Sequence, residues 1–219
     1  MAGQDPPYVV SDATGRVARL VATFDWSSLR LPQRSRLRQR AARLDAPPTS
    51  DHRMASDLDA FLSISEVDDG GFFVDELFQR KFGSVAPRAA HHVVAFHKRA
   101  PQQLRVLGYA HFLPFGDIML VGGVCTDGGA FETMPAAERD AIRASGGVYF
   151  NVLRYAFARF AGRCEAYFGY CGDARAEAVN LAAGFVHTGH PHLLVNFHKP
   201  LHEVMQRALI AKAAAIGPF

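Results

Sequence analysis

Apolar positions along the chain fall into short runs and one long run, and the two kinds predict different elements. Residues 92–97, 104–113 and 118–126 are short, β-branched and aromatic, and are separated by Ala-Pro-Gln-Gln and Pro-Phe-Gly-Asp. That pattern predicts three strands in a hairpin-rich meander. The apolar run at 148–161 is too long for a strand and predicts a helix, followed by a strand at 164–171. Asp173 is a good N-cap for a short Ala-rich helix that Gly184 ends before Phe185. A last strand is expected at 193–197 and a terminal helix at 200–215. Upstream, residues 17–24 read as a strand. Segments 56–65 and 72–82 read as two short helices around Asp68-Asp69-Gly70-Gly71, with Phe61, Phe72, Phe73, Leu77, Phe78 and Phe82 on their apolar faces.

Two glycine pairs interrupt this pattern at informative places. Gly122-Gly123 sits inside a strand, where glycine weakens a regular ladder and signals a bulge or a close backbone approach. Arg143-Ala-Ser-Gly-Gly-Val148 leads into the long helix. Gly146 and Gly147 let several backbone amides gather on one anion, and the helix that begins there adds its positive dipole end. A phosphate-bearing cofactor is the first hypothesis from that turn. Residues 127–142 add a further small helix before it, with Pro135 suited to a first turn.

Strand, phosphate-type turn, helix, strand, helix, Gly-Phe, strand resembles the second half of the GNAT superfamily of N-acetyltransferases. The family's acetyl-CoA pyrophosphate loop reads Gln/Arg-x-x-Gly-x-Gly/Ala, and Arg143, Gly146 and Val148 stand at its three marked positions, the last a departure from the small residue. Asp173, Ala176, Asn180, Gly184 and Phe185 fall at the spacings of a later signature, with Asn180 where the family usually has a tyrosine acid. The resemblance spans roughly 90–200. It implies an α/β fold with a mixed, mostly antiparallel central sheet flanked by helices, and acetyl-CoA as cosubstrate. It also implies cofactor contacts from Val124 and Cys125 on the bulged strand, from Arg143, Ser145, Gly146, Gly147 and Val148 at the turn, and from Asn180. A helical pair after the first strand usually walls the acceptor site, which places 56–65 and 72–82 there.

Composition changes this picture little. A chain of 219 residues with 49% hydrophobic content can bury a substantial core. We divide it at 1–50, an N-terminal strand and basic helical extension, and 51–219, an acyltransferase domain. Net charge is +3, which suits an anionic cofactor as readily as a nucleic acid. Arg30, Arg34, Arg36, Arg38, Arg40 and Arg43 predict a basic amphipathic helix that ends at Asp-Ala-Pro-Pro. Its stretch has no aromatic residues for base stacking, so nucleic acid is the less favoured partner. Three cysteines at no zinc-like spacing point to a reducing compartment, and the cytoplasm is the expected location. No run approaches the roughly 20 apolar residues that cross a bilayer, so no membrane partner is expected.

Acyl transfer from a thioester to an amine needs a neutral amine, a polarised carbonyl and a proton for the leaving thiolate. Glu66, Asp68, His111 and Asp127 are candidate bases, with Asp127 favoured because it ends the cofactor strand. Tyr170 and Tyr149 are candidate acids, with Tyr170 preferred at the end of its strand. Cys125 and Cys171 lack an ordered His and carboxylate partner and read as small buried residues. His187, His190, His192, His198 and His202 crowd the C-terminal third, but Pro191 separates the one pair that alternation would align, so no metal is expected. The function expected is acyl-CoA-dependent N-acylation of an unidentified amine. The alternatives are a catalytically silent acyl-CoA-binding module and a basic nucleic-acid-binding protein.

Overall fold

The structure is a computed structural model and describes residues 58–219. The strand expected at 17–24 and the arginine-bearing helix expected at 30–43 lie outside the described residues. In chain order the strands are β1 (Leu62–Val67), β2 (His91–Ala100), β3 (Gln103–Phe115), β4 (Ile118–Thr126), β5 (Ala166–Tyr170), β6 (Val186–His187) and β7 (Leu193–Asn196). The helices are α1 (Gly70–Phe82), α2 (Gly128–Glu132), α3 (Ala136–Ala144), α4 (Gly147–Phe160), α5 (Ala174–Ala182) and α6 (Glu203–Ala214).

The strands form one sheet in the order β1-β2-β3-β4-β5-β7-β6. Every neighbouring pair is antiparallel except β4 and β5, which run parallel. That exception follows from connectivity, because α2, α3 and α4 intervene between β4 and β5 and return the chain to the same end of the sheet. The architecture is the mixed, mostly antiparallel α/β arrangement expected from the sequence.

Two places differ: the link before α4 holds two helices where one small helix was expected, and β1 replaces a helix. The helix expected at 56–65 is largely a strand, since β1 takes Leu62–Val67 and pairs with β2 from Leu62 opposite His97 to Val67 opposite His92. Leu-Ser-Ile-Ser-Glu-Val alternates as a strand does, and pairing with β2 overrides the helical spacing of the apolar residues before it. Asp68-Asp69 is therefore a strand-to-helix turn. The Asp69 carboxylate accepts from Phe72 N at 3.1 Å and caps α1.

Alternation along β4 divides the core between two faces. Met119 and Val121 face α4, together with Leu107, Ala110, Phe112 and Tyr167. Ile118 and Leu120 face the other way, over α6, with Phe168 and Val195. On that second face α1 covers the β2–β3 end, where Val74, Leu77 and Phe78 pack on Val94, Phe96 and Tyr109. Helices thus cover both faces, and on the second face α1 covers β2, β3 and the end of β4 while α6 covers the start of β4, β5 and β7.

Candidate active site

The parallel ladder between β4 and β5 runs only from Ile118 opposite Ala166 to Val121 opposite Gly169. Beyond that point the strands diverge. On its other edge β4 pairs with β3, where His111 lies opposite Gly122 and Tyr109 opposite Cys125, so two residues, Gly123 and Val124, face the single Ala110. This is the bulge the glycine pair predicted. Gly123 has φ +55, and a Cβ there would lie 2.4 Å from the His111 ring. Only glycine meets both demands.

The turn before α4 is short, with only Ser145 and Gly146 between the two helices. Ser145 ends α3, and Gly146 and Gly147 follow with φ +99 and +91. Asn151, one turn into α4, donates from Nδ2 to the Gly147 carbonyl and to Ser145 Oγ, both at 2.8 Å. A buried amide thus fixes the turn and leaves the first amides of α4 without helical acceptors. Phe150 packs beneath Gly146, where a Cβ would fall 2.6 Å from its ring, whereas a Cβ at Gly147 would meet nothing within 4 Å.

These two features open onto one cleft of about 740 Å³. It is lined by β4 from Val121 to Thr126, by Gly146, Gly147, Val148 and Tyr149 of the turn and α4, and by the end of β5 with the first turns of α5. Lys81 and Phe82 of α1 close it from the opposite face of the sheet. Of the cofactor and catalytic candidates from the sequence, Val124, Cys125, Gly146, Gly147, Val148, Asn180, Tyr149 and Tyr170 meet here, together with Cys171 and the Gly122-Gly123 pair. Arg143, Ser145 and Asp127 are not among the lining residues. The Arg143 guanidinium bonds to Asp140 at 3.1 Å and lies over the Phe131 ring. Ser145 Oγ donates to the Ile142 carbonyl at 2.8 Å. Asp127 caps α2 through Ala130 N and pairs with Arg80 at 2.9 Å.

The side chains that could move protons divide by face. The Tyr149 hydroxyl donates to Asn180 Oδ1 at 2.8 Å, and both residues line the cleft on the α4 side. Tyr170 points to the α6 side, where its ring packs near His192 and Phe219. Glu66 is engaged by His91 and Arg159, each at 2.7 Å; burial works against its charge, and these two hydrogen bonds bring the net shift below the usual carboxylate range. Burial pushes the Cys125 thiol up to about 12 and raises Cys171 as well, so neither supplies a thiolate near neutral pH. Burial also pushes His111 down to about 4, with nearby His92 adding to the effect, and leaves its Nδ1 without a hydrogen-bond partner. His111 is therefore a neutral ring under the bulge.

Four of the five C-terminal histidines have separate duties. His192 donates to the Cys171 carbonyl, His198 to the Ala161 carbonyl, His202 caps α6 through Val204 N, and His187 lies 3.5 Å from Glu177. Among the described residues no group of three His, Cys, Asp or Glu is placed to hold a metal. No described helix is long and apolar enough to cross a membrane.

The resemblance placed segment 72–82, and with it Phe82, at the acceptor wall, whereas Lys81 and Arg175 were not singled out as lining residues. Lys81 and Phe82 reach the cleft only because α1 packs across β3 and β4, a contact no local pattern carries. Asn151 had a local signal, an amide in an apolar helix four residues after a glycine.

The parallel β4–β5 step within an otherwise antiparallel sheet is the layout that the resemblance to the GNAT superfamily implies. Solved structures similar to this chain include a candidate N-acetyltransferase from Lactobacillus plantarum, at 14% identity and TM-score 0.39, covering 62% of this chain and 97% of that one. Another is a GNAT-family acetyltransferase from Staphylococcus aureus Mu50, at 9% identity and TM-score 0.35, covering 63% and 100%. A third is KacTA in complex with DNA, at 14% identity and TM-score 0.38, covering 68% and 98%. At such scores no residue role transfers from them. No family model and no curated protein matches the sequence.

Proposed function

We propose that this chain is an acyl-CoA-dependent N-acyltransferase that uses acetyl-CoA and passes the acetyl group directly to an amine. The observation that carries this reading is the meeting, in one cleft, of the splayed β4–β5 edge with the glycine turn that starts α4. A splayed strand presents backbone amides that no ladder consumes, and a helix start offers four more. Pyrophosphate fits the second set and the pantetheine arm fits the first. Among cleft-lining side chains the charged groups are Lys81, Arg175 and Asp173, and the Asp173 carboxylate is committed to Arg175 N and Ala176 N as a cap. The free charge facing the cleft is positive, which favours an anionic ligand.

In this reading Val124 and Cys125 at the bulge supply amides to the thioester carbonyl as negative charge develops on its oxygen. The amine nitrogen attacks the carbonyl carbon, the C–S bond breaks, and the proton lost by nitrogen balances the one gained by sulfur. We place the donor to sulfur at Tyr149, which lies beside Asn180 on the pantetheine side, and place Tyr170 on the acceptor side. An amide cannot act as a general acid near neutral pH, so Asn180 orients the phenol instead. The absence of tyrosine at 180 would favour a silent binding module were no hydroxyl beside it, but Tyr149 fills that place.

Gly147→Asp tests the turn, because it sets a carboxylate where phosphate would lie while its Cβ meets open space. The φ of Gly147 adds a modest strain, about 1–2 kcal/mol. We expect CoA affinity by isothermal titration to fall roughly 10-fold or more, since like charges at a buried contact cost several kcal/mol. Unchanged affinity in a folded variant would move the phosphate site elsewhere.

A further inference from the structure

The cleft has two ends, and their charges bear on the acceptor. Arg175 lies on α5, on the α4 side of the sheet, where the CoA phosphates belong in the reading above. Lys81 lies on the other side, in the last turn of α1, beside Phe82 and across from Tyr170. Among the described residues no carboxylate pairs with Lys81. The acidic residues on and next to α1 do not line the cleft. Asp127 holds Arg80 and caps α2, Asp75 accepts from Ala86 N at 2.9 Å, and Asp69 caps α1. The α1 side of the cleft therefore offers an ammonium and two aromatic rings, and the one carboxylate in the lining, Asp173, sits at the start of α5 and caps it.

A polyamine or a basic peptide would meet uncompensated like charge at this mouth, and like-charge juxtaposition is a strong selector against the wrong partner. We propose that the acceptor is an amine that also carries an anionic group, a carboxylate or a phosphate, and that Lys81 binds that group while the amine faces the bulge. This rests on the acyl-CoA reading and names the substrate class for it. Carboxylate and phosphate share the same chemistry toward an ammonium, and the experiment separates them.

The full-length protein is assayed for CoA release from acetyl-CoA with free amino acids, their carboxamides, O-phosphoethanolamine and spermidine, and CoA affinity is measured in parallel. Wild type should prefer an amino acid or O-phosphoethanolamine over the neutral and cationic amines, and the preferred arm identifies the anion. Because Lys81 is exposed, Lys81→Ala should lower kcat/KM for the anionic acceptor by roughly 3–10-fold, leave its carboxamide within about 2-fold, and leave CoA affinity unchanged. Lys81→Glu should move the preference toward spermidine. The ratio between each amino acid and its carboxamide, followed from wild type to variant, is independent of the amines' own basicity. Preference of wild type for spermidine or a carboxamide overturns the proposal. So does an equal loss on every acceptor, a fall in CoA affinity in Lys81→Ala, or no turnover of any anionic amine by protein that binds CoA. Failure of wild type to bind CoA overturns the acyl-CoA reading itself, and the proposal with it.

Discussion

At the scale of single residues, Tyr149 and Asn180 illustrate how a cleft can keep a hydroxyl while changing which helix supplies it. Their hydrogen bond joins positions 31 apart in sequence, so spacing alone suggested a missing acid and left Tyr149 behind Tyr170 as a candidate. Face decides between them, because β5 alternation turns Tyr170 toward α6 and away from Asn180. Tyr149→Phe should lower turnover on the best amine by roughly 10²-fold, the usual reach of general-acid catalysis, with little change in CoA affinity. Tyr170→Phe should alter the acceptor KM more than kcat. The reverse pattern would return the acid role to Tyr170.

His111 makes a separate prediction about pH. Its buried ring is pushed down to about 4 from 6.5, so above pH 6.5 folded and unfolded chains both hold it neutral and it adds no pH dependence. As pH falls from 6.5 toward 4, the unfolded chain takes up a proton that the folded chain refuses. Stability therefore declines across that window, by up to roughly 3 kcal/mol from this group. Thermal melts between pH 7 and 4 should show the decline, and His111→Phe, which cannot titrate, should flatten it. An equal decline in the variant would assign the acid sensitivity to other groups. Nothing in the local sequence announced this ring as buried, because besides Tyr109 of its own strand its surroundings include His92 of β2 and the Gly122-Gly123 backbone of β4.

Among the elements, those with a strong local period were legible and those decided by pairing were not. β2, β3, β4, α4 and α5 stand where alternation, capping and glycine placed them. β1 was misread because six residues of weak alternation acquire their conformation from β2, and the link before α4 holds two helices where one was expected. The β4 bulge was legible because a glycine pair in a strand has few other uses. Its cause was not, since the ring under Gly123 belongs to β3. Gly123→Ala would force a Cβ against that ring at a positive φ, and should destabilise the fold by roughly 1–3 kcal/mol. Turnover should fall with it as the bulge amides move. Gly128→Ala, where a Cβ meets nothing within 4 Å, is the control and should leave both unchanged. A melting temperature unaffected by Gly123→Ala would mean the bulge does not depend on the close approach of His111.

For the whole molecule, the arrangement of helices over two faces of one mixed sheet turns a break between parallel strands into a passage from one face to the other. The α4 side carries the turn suited to phosphate, and the α1 side carries Lys81 and Phe82. Sequence predicted the layout of the sheet and which residues meet at the α4 start, because glycine turns and helix caps are local devices. On the other side the resemblance pointed to 72–82 as a wall but not to Lys81, because α1 and β5 meet there from about 90 residues apart. The measurement that tests the central claim most directly is a crystal structure of the full chain with acetyl-CoA. The pyrophosphate is expected within hydrogen-bonding distance of the amides of Gly147 and Val148, with the thioester between the ends of β4 and β5 and its sulfur near Tyr149. Acetyl-CoA bound outside that cleft, or within it with the phosphates away from the α4 start, would contradict the account.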